Sequence, residues 1–272
     1  MPRVSVVVSH YDRRPCLLQA LDSIAAQTWR DFEVVVVSDA GPPGSGALVE
    51  AFAAAHRGAF EVRFVRRDVN GGVAATRNSG AAEARGTLVA WLDDDDLWRP
   101  DHLGALVRAI DAGATLAYGD AEVWRMEPCG ARPGAILDPT AWRVAGRRTL
   151  AVPFDAADLA RDDFIVPGGM LHARALLEEV GRFDETLFVS DDWDWLLRLH
   201  AARGSGAFTR VPRIVVDVRI WGDGRNLSAT AGARRRAALD ELERRHGTPR
   251  LEPKTFWEVA GTYAARSGPA AT

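Results

Sequence analysis

The chain has 272 residues, of which 47% are hydrophobic, and a formal net charge of −3. This length and composition exclude a disordered protein and predict one large soluble domain, or a domain with an appendage. Because 34 basic residues nearly balance 37 acidic ones, the charge gives no indication of a nucleic-acid binder.

The first part of the chain alternates short β-branched runs with segments in which apolar residues recur at helical spacing. We predict strands at residues 4–8, 32–37, 60–65 and 87–92. Helices are predicted from about Arg14, around residues 48–55, from Gly71 to about Ala84, and from near Pro100. This order predicts an α/β protein with a mostly parallel, Rossmann-like central sheet flanked by helices.

The second half of the chain is less regular. Strands are predicted at residues 116–118 and 211–218, and helices at residues 175–180, from near Asp191, and at about residues 231–245. Residues 129–139 are predicted to be a loop, and residues 267–272 a frayed end. We divide the chain into a domain at residues 1–228, with halves at 1–112 and 113–228, and a helical extension at 229–272.

Cysteine content and the N-terminal segment indicate the cellular compartment in which we expect the protein. Only Cys16 and Cys129 are present, too few for a disulfide framework, so we expect a reducing cytoplasm. No signal peptide is expected, because a strand-like segment directly follows Met1-Pro2-Arg3. We also expect no transmembrane segment, since no apolar run approaches the roughly 20 residues that a span needs.

Polar residues follow each of the first four predicted strands. In parallel sheets ligands bind at the carboxyl ends of the strands, so these side chains are expected at one binding edge. The residues concerned are Ser9, His10, Tyr11 and Asp12 after the first strand, Asp39 after the second, Asp68 and Asn70 after the third, and Asp93 to Asp96 after the fourth.

The four consecutive aspartates at residues 93–96 are the most informative of these groups. Adjacent carboxylates repel one another, and a divalent cation offsets that repulsion. Mg²⁺ and Mn²⁺ prefer oxygen ligands, and Mg²⁺ typically combines one or two carboxylates with substrate phosphates. In the alternative interpretation Asp96 caps the helix near Pro100. We favour a metal site, because four acids exceed what a cap needs.

Six segments together carry a family resemblance through their shared order and spacing. They are VSVVVSHYDR at residues 4–13, SIAAQTW at 23–29, NGG and ATRNSG at 70–72 and 75–80, LDDDDLWRP at 92–100, GRFDE at 181–185, and DDWDWLLRL at 191–199. With these motifs the chain resembles the inverting family 2 glycosyltransferases, which have the GT-A fold. The resemblance covers about residues 4–228.

The resemblance implies a nucleoside-diphosphate sugar as donor and Mg²⁺ or Mn²⁺ as cofactor. Tyr11 would pack on the nucleotide base with Ser9 beside it, and Asp39 would accept a hydrogen bond from the base. Asn70 would lie in the same nucleotide-sugar site, and Arg77 near the base or the diphosphate. These residues together would form the donor side.

The resemblance also assigns roles to the acidic motifs. Asp94 would contact the ribose and Asp95 would hold the metal, while Asp93 would support these groups or share the ion. Asp192 would be the catalytic base that deprotonates a hydroxyl-bearing acceptor, with Asp191 as the second candidate. The acceptor side would be built by the second half of the chain, around residues 167–172, the helix at Asp191 and the loop at 221–225.

Each assignment has a structural alternative when the residues are taken alone. Tyr11 can be a loop aromatic that covers the sheet, and Arg77 a solvated helix residue paired with Glu83 or Asp68. Acids in a first helical turn, such as Asp191 and Asp192, stabilise the helix by up to about 1 kcal/mol without any catalytic role. Trp193 and Trp195 are interpreted as core residues.

The sequence departs from the family pattern at two places. The loop after the second strand reads Ser38-Asp39-Ala40-Gly41 where "D-D-G-S" is common, so only the second acid is kept. Many members carry a metal-proximal His before "N-x-S", whereas residues 219–228 contain none. Two alternatives follow: Asp223 replaces that His, or Asp95 is the only protein ligand.

The predicted function is metal-dependent, inverting transfer of one sugar from a nucleotide sugar to a hydroxyl acceptor. A sugar-phosphate nucleotidyltransferase is the first alternative, although the loop after the first strand lacks the glycines such enzymes usually carry. A catalytically degenerate nucleotide-sugar-binding module is the second alternative, motivated by the altered loop at Ser38 and the missing His.

Overall fold

A computed structural model describes residues 1–129, 138–224 and 232–267 of the chain. Several predictions fall outside these residues: most of the 129–139 loop, residues 225–228 of the 219–228 segment, the boundary at 228/229, and the end at 268–272. Among the described residues no helix combines the length and apolar character needed to cross a membrane.

One sheet of nine strands runs through the described part of the chain. Its long buried strands are rich in valine, as expected for strands covered on both faces. The strands are β1 (Val4–His10), β2 (Phe32–Ser38), β3 (Glu61–Arg66), β4 (Leu88–Asp93), β5 (Leu97–Trp98), β6 (Leu116–Pro128), β7 (Trp142–Leu150), β8 (Met170–Ala173) and β9 (Phe208–Trp221).

Helices cover the sheet. They are α1 (Arg14–Ala25), α2 (Ser45–Ala55), α3 (Gly72–Glu83), α4 (His102–Asp111), α5 (Ala156–Leu159), α6 (Leu176–Glu179), α7 (Asp191–Arg203), α8 (Gly232–His246) and α9 (Phe256–Ser267). Helix α3 lies very close to β1, because a Cβ atom on Gly80 would come within 2.3 Å of Val7 Cγ1. This close approach brings the side chains of α3 to the carboxyl end of β1.

The strand order is β3-β2-β1-β4-β8-β6-β9-β5, and β7 pairs with β6. β1 is parallel to both β2 and β4, and β2 is parallel to β3. β8 is antiparallel to β4 and β6, while β6 is parallel to β9. Six strands of the described sheet therefore run in one direction, which confirms the predicted mostly parallel α/β architecture.

The second half contains more strand than the sequence predicts. β6 was expected only at residues 116–118, because Gly119-Asp120 interrupts the apolar run. The strand continues past them through irregularities in its pairing with β9, and Asp120 forms an ion pair with Arg210 at 2.6 Å. β5, β7, β8, α5 and α9 are not predicted by the sequence, and α4 begins at His102, slightly later than expected.

The C-terminal helices belong to the same hydrophobic core as the sheet. Leu239 and Leu242 of α8 and Val259, Ala260 and Tyr263 of α9 are all buried in the main core cluster. The division of the chain near residue 228 stays a prediction, but the helices that follow it pack directly on the rest of the protein.

Candidate active site

A cavity of about 630 Å³ opens at the carboxyl ends of β1, β2 and β4. All ten residues that the sequence predicts for the site lie in its wall. They are Ser9, Tyr11, Asp39, Asn70, Arg77, Asp93, Asp94, Asp95, Asp191 and Asp192. The fold therefore brings together side chains that lie up to 183 positions apart in the sequence.

The end of β1 positions the first aspartates. Ser9 lies opposite Asp93 in the parallel pairing, and the Asp94 backbone N–H donates to the Ser9 carbonyl at 3.0 Å. His10 is buried between two side chains, with Nδ1 at 2.6 Å from Asp94 Oδ2 and Nε2 at 2.7 Å from Ser45 Oγ. His10 thus fixes the Asp94 carboxylate, a role that the sequence motifs did not reveal.

Asp95 is held from two directions. Arg13 Nη1 donates to Asp95 Oδ2 at 2.6 Å, and the Trp221 indole N–H donates to the same oxygen at 3.0 Å. Arg219 of β9 donates to the Asp95 carbonyl, and its backbone N–H donates to Asp96 Oδ1 at 3.0 Å. Asp96 is thus bound to β9, and the residue at the N-terminus of α4 is Asp101.

Charge repulsion remains among the four aspartates at residues 93–96. Burial raises the pKa of Asp93, with Asp95 and Asp94 adding to the effect against the opposing charge of Arg77. Burial also raises the pKa of Asp96 well above its ordinary value, again with Asp95 and Asp93 contributing. A bound cation would favour the ionised form of both carboxyl groups.

Arg77 connects the aspartates at the end of β4 to α7. Its guanidinium is buried, and Nη1 donates to Asp191 Oδ2 at 2.9 Å while Nη2 lies 3.3 Å from both Asp93 oxygens. Burial raises the pKa of Asp191 to about 7, with Arg77 opposing this shift and Asp192 and Asp93 reinforcing it. The alternative of a solvated Arg77 paired with Glu83 or Asp68 is therefore wrong.

Asp192 stands in the first turn of α7. Its Oδ1 accepts a hydrogen bond from the Trp193 backbone N–H at 3.0 Å. Ser190, immediately before the helix, has a left-handed backbone with φ of 64°, an unfavourable conformation that often occurs at functional sites. Trp193 and Trp195 are buried, and their indole N–H groups donate to the carbonyls of Leu159 and Gly181, as expected for core residues.

Asp39 organises the neighbouring turn. Its two carboxylate oxygens accept hydrogen bonds from the backbone N–H groups of Gly71 at 2.9 Å and Gly72 at 2.7 Å, and Arg67 forms an ion pair with it at 2.9 Å. Asp39 therefore holds the start of α3, and with it Asn70, at the cavity. That Asp39 also accepts a hydrogen bond from a nucleotide base stays a prediction.

Two of the sequence motifs meet through Asn78. Its side-chain amide donates to the Phe183 carbonyl at 2.9 Å and accepts from the Phe183 backbone N–H at 3.1 Å. The amide also donates to Glu185 Oε1 at 2.9 Å. These bonds connect α3 to the segment that precedes α7, so they help to place Asp191 and Asp192 opposite the aspartates of β4.

Part of the wall comes from residues that no motif marked. Residues 167–172, expected on the acceptor side, are buried in the sheet region and do not line the cavity. The described part of the 221–225 loop does not line it either, and Arg225 lies outside the described residues. Their place is taken by Asp162, Asp163, Arg235, Glu252, Lys254, Phe256 and Val259.

The side chains in the wall fit a cation bound together with a substrate. The wall contains eleven carboxylate side chains and five arginine or lysine side chains, so negative charge predominates. Within residues 1–129, 138–224 and 232–267, no three His, Cys, Asp or Glu side chains are arranged to hold a metal by themselves. One or two carboxylates that share a cation with substrate phosphates match this arrangement.

Comparison with known proteins finds a matching family and a similar bacterial relative. Residues 5–150, more than half of the chain, match the family described as Glycosyl transferase family 2. Over 254 residues the chain is 32% identical to YwdF of Bacillus subtilis strain 168, an uncharacterized glycosyltransferase, and the match covers 93% of this chain and 88% of YwdF.

Solved structures also resemble the chain. The mannosyltransferase PcManGT from Pyrobaculum calidifontis, in complex with GDP-Man and Mn²⁺, matches with a TM-score of 0.64 and 22% identity, over 100% of this chain and 76% of that one. S. aureus TarS 1-349 in complex with UDP-GlcNAc matches with a TM-score of 0.62 and 19% identity, over 97% and 72%. These likenesses confirm the predicted GT-A fold.

Proposed function

This chain belongs to glycosyl transferase family 2, and we propose that it transfers one sugar from a nucleoside-diphosphate sugar to an acceptor hydroxyl with inversion at the anomeric carbon. The main observation behind the proposal is that two groups of carboxylates line the same cavity. Asp93, Asp94 and Asp95 lie at the end of β4, and Asp192 projects from the start of α7. The carboxylates at the end of β4 suit the cation that accompanies a nucleoside-diphosphate donor, and Asp192 suits the role of proton acceptor.

The donor occupies the side of the cavity formed by β1, β2 and α3. Tyr11, whose side chain is 48% exposed, offers a flat surface for the base, with Ser9, Asp39 and Asn70 around it. Asp94, which His10 fixes through a 2.6 Å contact, binds the ribose hydroxyls in this proposal. The nucleotide sugars bound to PcManGT and TarS support this class of donor.

Asp192 acts as the general base. The acceptor hydroxyl attacks the anomeric carbon from the face opposite the diphosphate, and its proton passes to the Asp192 carboxylate as the bond to the diphosphate oxygen breaks. Asp191 is less suited to this role, because Arg77 donates directly to its carboxylate. Asp191 instead orients Arg77 between the two sides of the site.

Mg²⁺ or Mn²⁺ is the proposed cofactor; Asp95 would hold it, with Asp93 supporting the site or sharing the ion. When bound, the ion supplies Lewis-acid stabilisation of the negative charge on the leaving diphosphate. The excess of carboxylates in the wall and the raised pKa of Asp93 support this assignment. So does the Mn²⁺ in the PcManGT complex. Asp223 stays an alternative ligand.

A thermal-shift screen with UDP, GDP, dTDP and CDP, each with Mn²⁺ or EDTA, tests the proposal. A ligand at 100 times its dissociation constant stabilises the folded protein by about 2.7 kcal/mol. We expect one nucleotide to give a metal-dependent shift, and its nucleotide sugars to release nucleoside diphosphate when incubated with the enzyme. Proton NMR of the glycoside product then shows whether the anomeric configuration is inverted.

Other outcomes would support the alternatives. Release of pyrophosphate from a nucleoside triphosphate and a sugar phosphate would indicate a nucleotidyltransferase. Binding of the nucleotide with neither transfer nor slow hydrolysis of the donor would indicate a degenerate binding module. No shift with any of the four nucleotides would contradict the donor site itself.

A further inference from the structure

One wall of the cavity is formed by residues outside the sequence motifs and outside residues 5–150, which match the family. It is formed by the chain after α5 together with α8, α9 and the segment between them. Its polar members are Asp162, Asp163, Arg235, Glu252 and Lys254, and its apolar members are Phe256 and Val259. Because it adjoins Asp192, this wall faces the place where the acceptor must bind.

The wall is attached firmly to the rest of the protein. Lys254 Nζ donates to Asp162 Oδ1 at 2.6 Å, and only 4% of the Asp162 side chain is exposed. The rings of Phe164 and Tyr263 pack with their centroids 5.9 Å apart. The backbone on both sides of Asp163 is therefore fixed against α9, so the position of the Asp163 side chain is defined.

Asp163 has a hydrogen-bonding capacity that the described protein does not use. Its Oδ1 atom is buried and accepts no hydrogen bond from any described residue. Leaving a buried polar atom without a partner is costly, so such atoms in a ligand cavity are candidates for ligand contact. Asp163 and the proposed base Asp192 line the same cavity.

We propose that Asp163 is a specificity residue of an acceptor subsite beside Asp192, and that this subsite takes a neutral sugar residue through the hydroxyl adjacent to the reacting one. The inference rests on the proposed function, since it identifies the acceptor of that reaction. The adjacent hydroxyl donates to Asp163 Oδ1 while the reacting hydroxyl donates to Asp192. Phe256 and Val259 provide an apolar surface for the C–H groups of the sugar ring.

The charges of the wall favour a neutral ligand over a charged one. An anionic acceptor would approach Asp192 and Glu252, and would be repelled. An ammonium group would meet Arg235 and Lys254 in the same wall. Burial, together with Asp192 and Asp191, raises the pKa of Asp163 well above its ordinary value. A protonated carboxyl can both donate to and accept from a hydroxyl, whereas it offers an ammonium ion no opposite charge.

The test measures nucleoside diphosphate release from UDP-glucose or GDP-mannose, according to the nucleotide that stabilises the protein. Release is followed with water alone and with three acceptor classes: neutral methyl hexopyranosides, methyl glucuronide and methyl glucosaminide. The variants are Asp163→Ala and Asp163→Asn, with Asp111→Ala as a control for loss of a surface carboxylate outside the cavity. Thermal unfolding and the nucleotide shift are recorded for each variant.

We expect neutral methyl glycosides to stimulate release more than either charged glycoside. Asp163→Ala should raise the acceptor KM about tenfold, the effect of losing one hydrogen bond, and leave the nucleotide-induced thermal shift unchanged, because the nucleotide binds on the opposite side of the cavity. Asp163→Asn, which can still donate and accept hydrogen bonds, should retain part of the acceptor affinity. Asp111→Ala should behave as the unmodified enzyme.

The outcomes separate this inference from the proposed function. If the unmodified enzyme neither binds a nucleotide nor hydrolyses a donor, the proposed function fails. If it does both but no neutral glycoside stimulates release, or a charged glycoside is preferred, the acceptor class is wrong. An unchanged acceptor KM in both Asp163 variants would overturn the role of Asp163. If Asp163→Ala does not fold, Asp163→Asn decides the question.

Discussion

The Arg77 guanidinium lies 2.9 Å from the Asp191 carboxylate, in a place where neither side chain is open to solvent. Because Arg77 also contacts Asp93, this pair connects the end of β4 to the start of α7. The distance between the proposed metal site and the proposed base is therefore set by one buried ion pair.

Removing the charge of Arg77 should destabilise the protein strongly. Arg77→Met leaves the buried carboxylate of Asp191 without its cation, and breaking a buried pair in this way costs about 3–5 kcal/mol. Arg77→Lys should lose less stability but still lose activity, because an ammonium group cannot contact both carboxylates as the planar guanidinium does. Urea unfolding measures the first effect and nucleoside diphosphate release the second. Arg3→Met, which breaks an exposed ion pair with Asp111, should change stability by no more than about 1 kcal/mol.

Asp192→Asn should reduce the rate of transfer by a factor of about 10² to 10⁴, the usual contribution of a general base. Nucleotide binding should be retained, since Asp192 is assigned to the acceptor. Asp191→Asn is the informative comparison, because it should lower activity mainly by releasing Arg77. Transfer that survives Asp192→Asn but disappears in Asp191→Asn with Arg77 still in place would reverse the two roles. Steady-state kinetics with the identified donor provides the measurement.

Trp221→Phe should weaken the metal dependence of nucleotide binding. The substitution removes the N–H group that donates to Asp95 Oδ2, and loss of such a supporting bond typically lowers metal affinity about 10- to 100-fold. Trp142→Phe is a matched control, because Trp142 packs edge-on against Trp221 and its own indole nitrogen has no hydrogen-bond partner among the described residues. Titration of Mn²⁺ in the presence of the nucleotide compares the two. Equal affinities in both variants would argue against Asp95 as the ligand.

Gly41→Ala should impair nucleotide binding without unfolding the protein. A Cβ atom at this position would lie 1.8 Å from the Tyr11 carbonyl oxygen, so the loop that carries Tyr11 must move. Overpacking of this kind costs about 1–3 kcal/mol, which we expect to appear mainly as a weaker nucleotide-induced thermal shift. Gly46→Ala serves as the control, because its new methyl group would meet only the edge of the Phe64 ring at 3.2 Å. A full shift in Gly41→Ala would contradict the placement of the base on Tyr11.

The donor side of the site could be predicted from the sequence for a physical reason. The carboxyl ends of parallel neighbouring strands meet at one edge, so the residues after β1, β2 and β4 had to converge. Ser9 and Asp93 are opposite each other in the register, as this rule requires. Hydrophobic periodicity was sufficient there because the strands are buried on both faces.

The acceptor side could not be predicted in the same way. Asp163 and Lys254 reach the cavity because the loop that carries Asp163 packs against the C-terminal segment that carries Lys254. The hydrogen bond between Asp162 and Lys254 in this contact joins residues 92 positions apart in the sequence. No local pattern encodes that contact. Similarly, the strand beyond Gly119 was missed because its polar residues are neutralised by partners from other strands, such as Arg210 with Asp120.

Acid should destabilise the protein through His102. This residue is fully buried and stacks on Trp98 with the ring centroids 3.9 Å apart, and burial lowers its pKa from 6.5 to about 3. Between these two values the unfolded chain binds a proton that the folded protein does not. The free energy of unfolding therefore falls as the pH drops through this range, by up to about 1.4 kcal/mol per pH unit.

His102→Phe keeps an aromatic ring against Trp98 and removes the titrating group. Between pH 7 and pH 5 the variant should lose about 2 kcal/mol less stability than the unmodified protein. Urea unfolding at the two pH values measures this difference, which does not depend on any overall change in stability that the substitution causes. His200→Phe, at a partly exposed position near Phe154, controls for the loss of a histidine. If the acid sensitivity persists unchanged in His102→Phe, other buried groups such as His172, whose pKa burial lowers to about 4, must account for it.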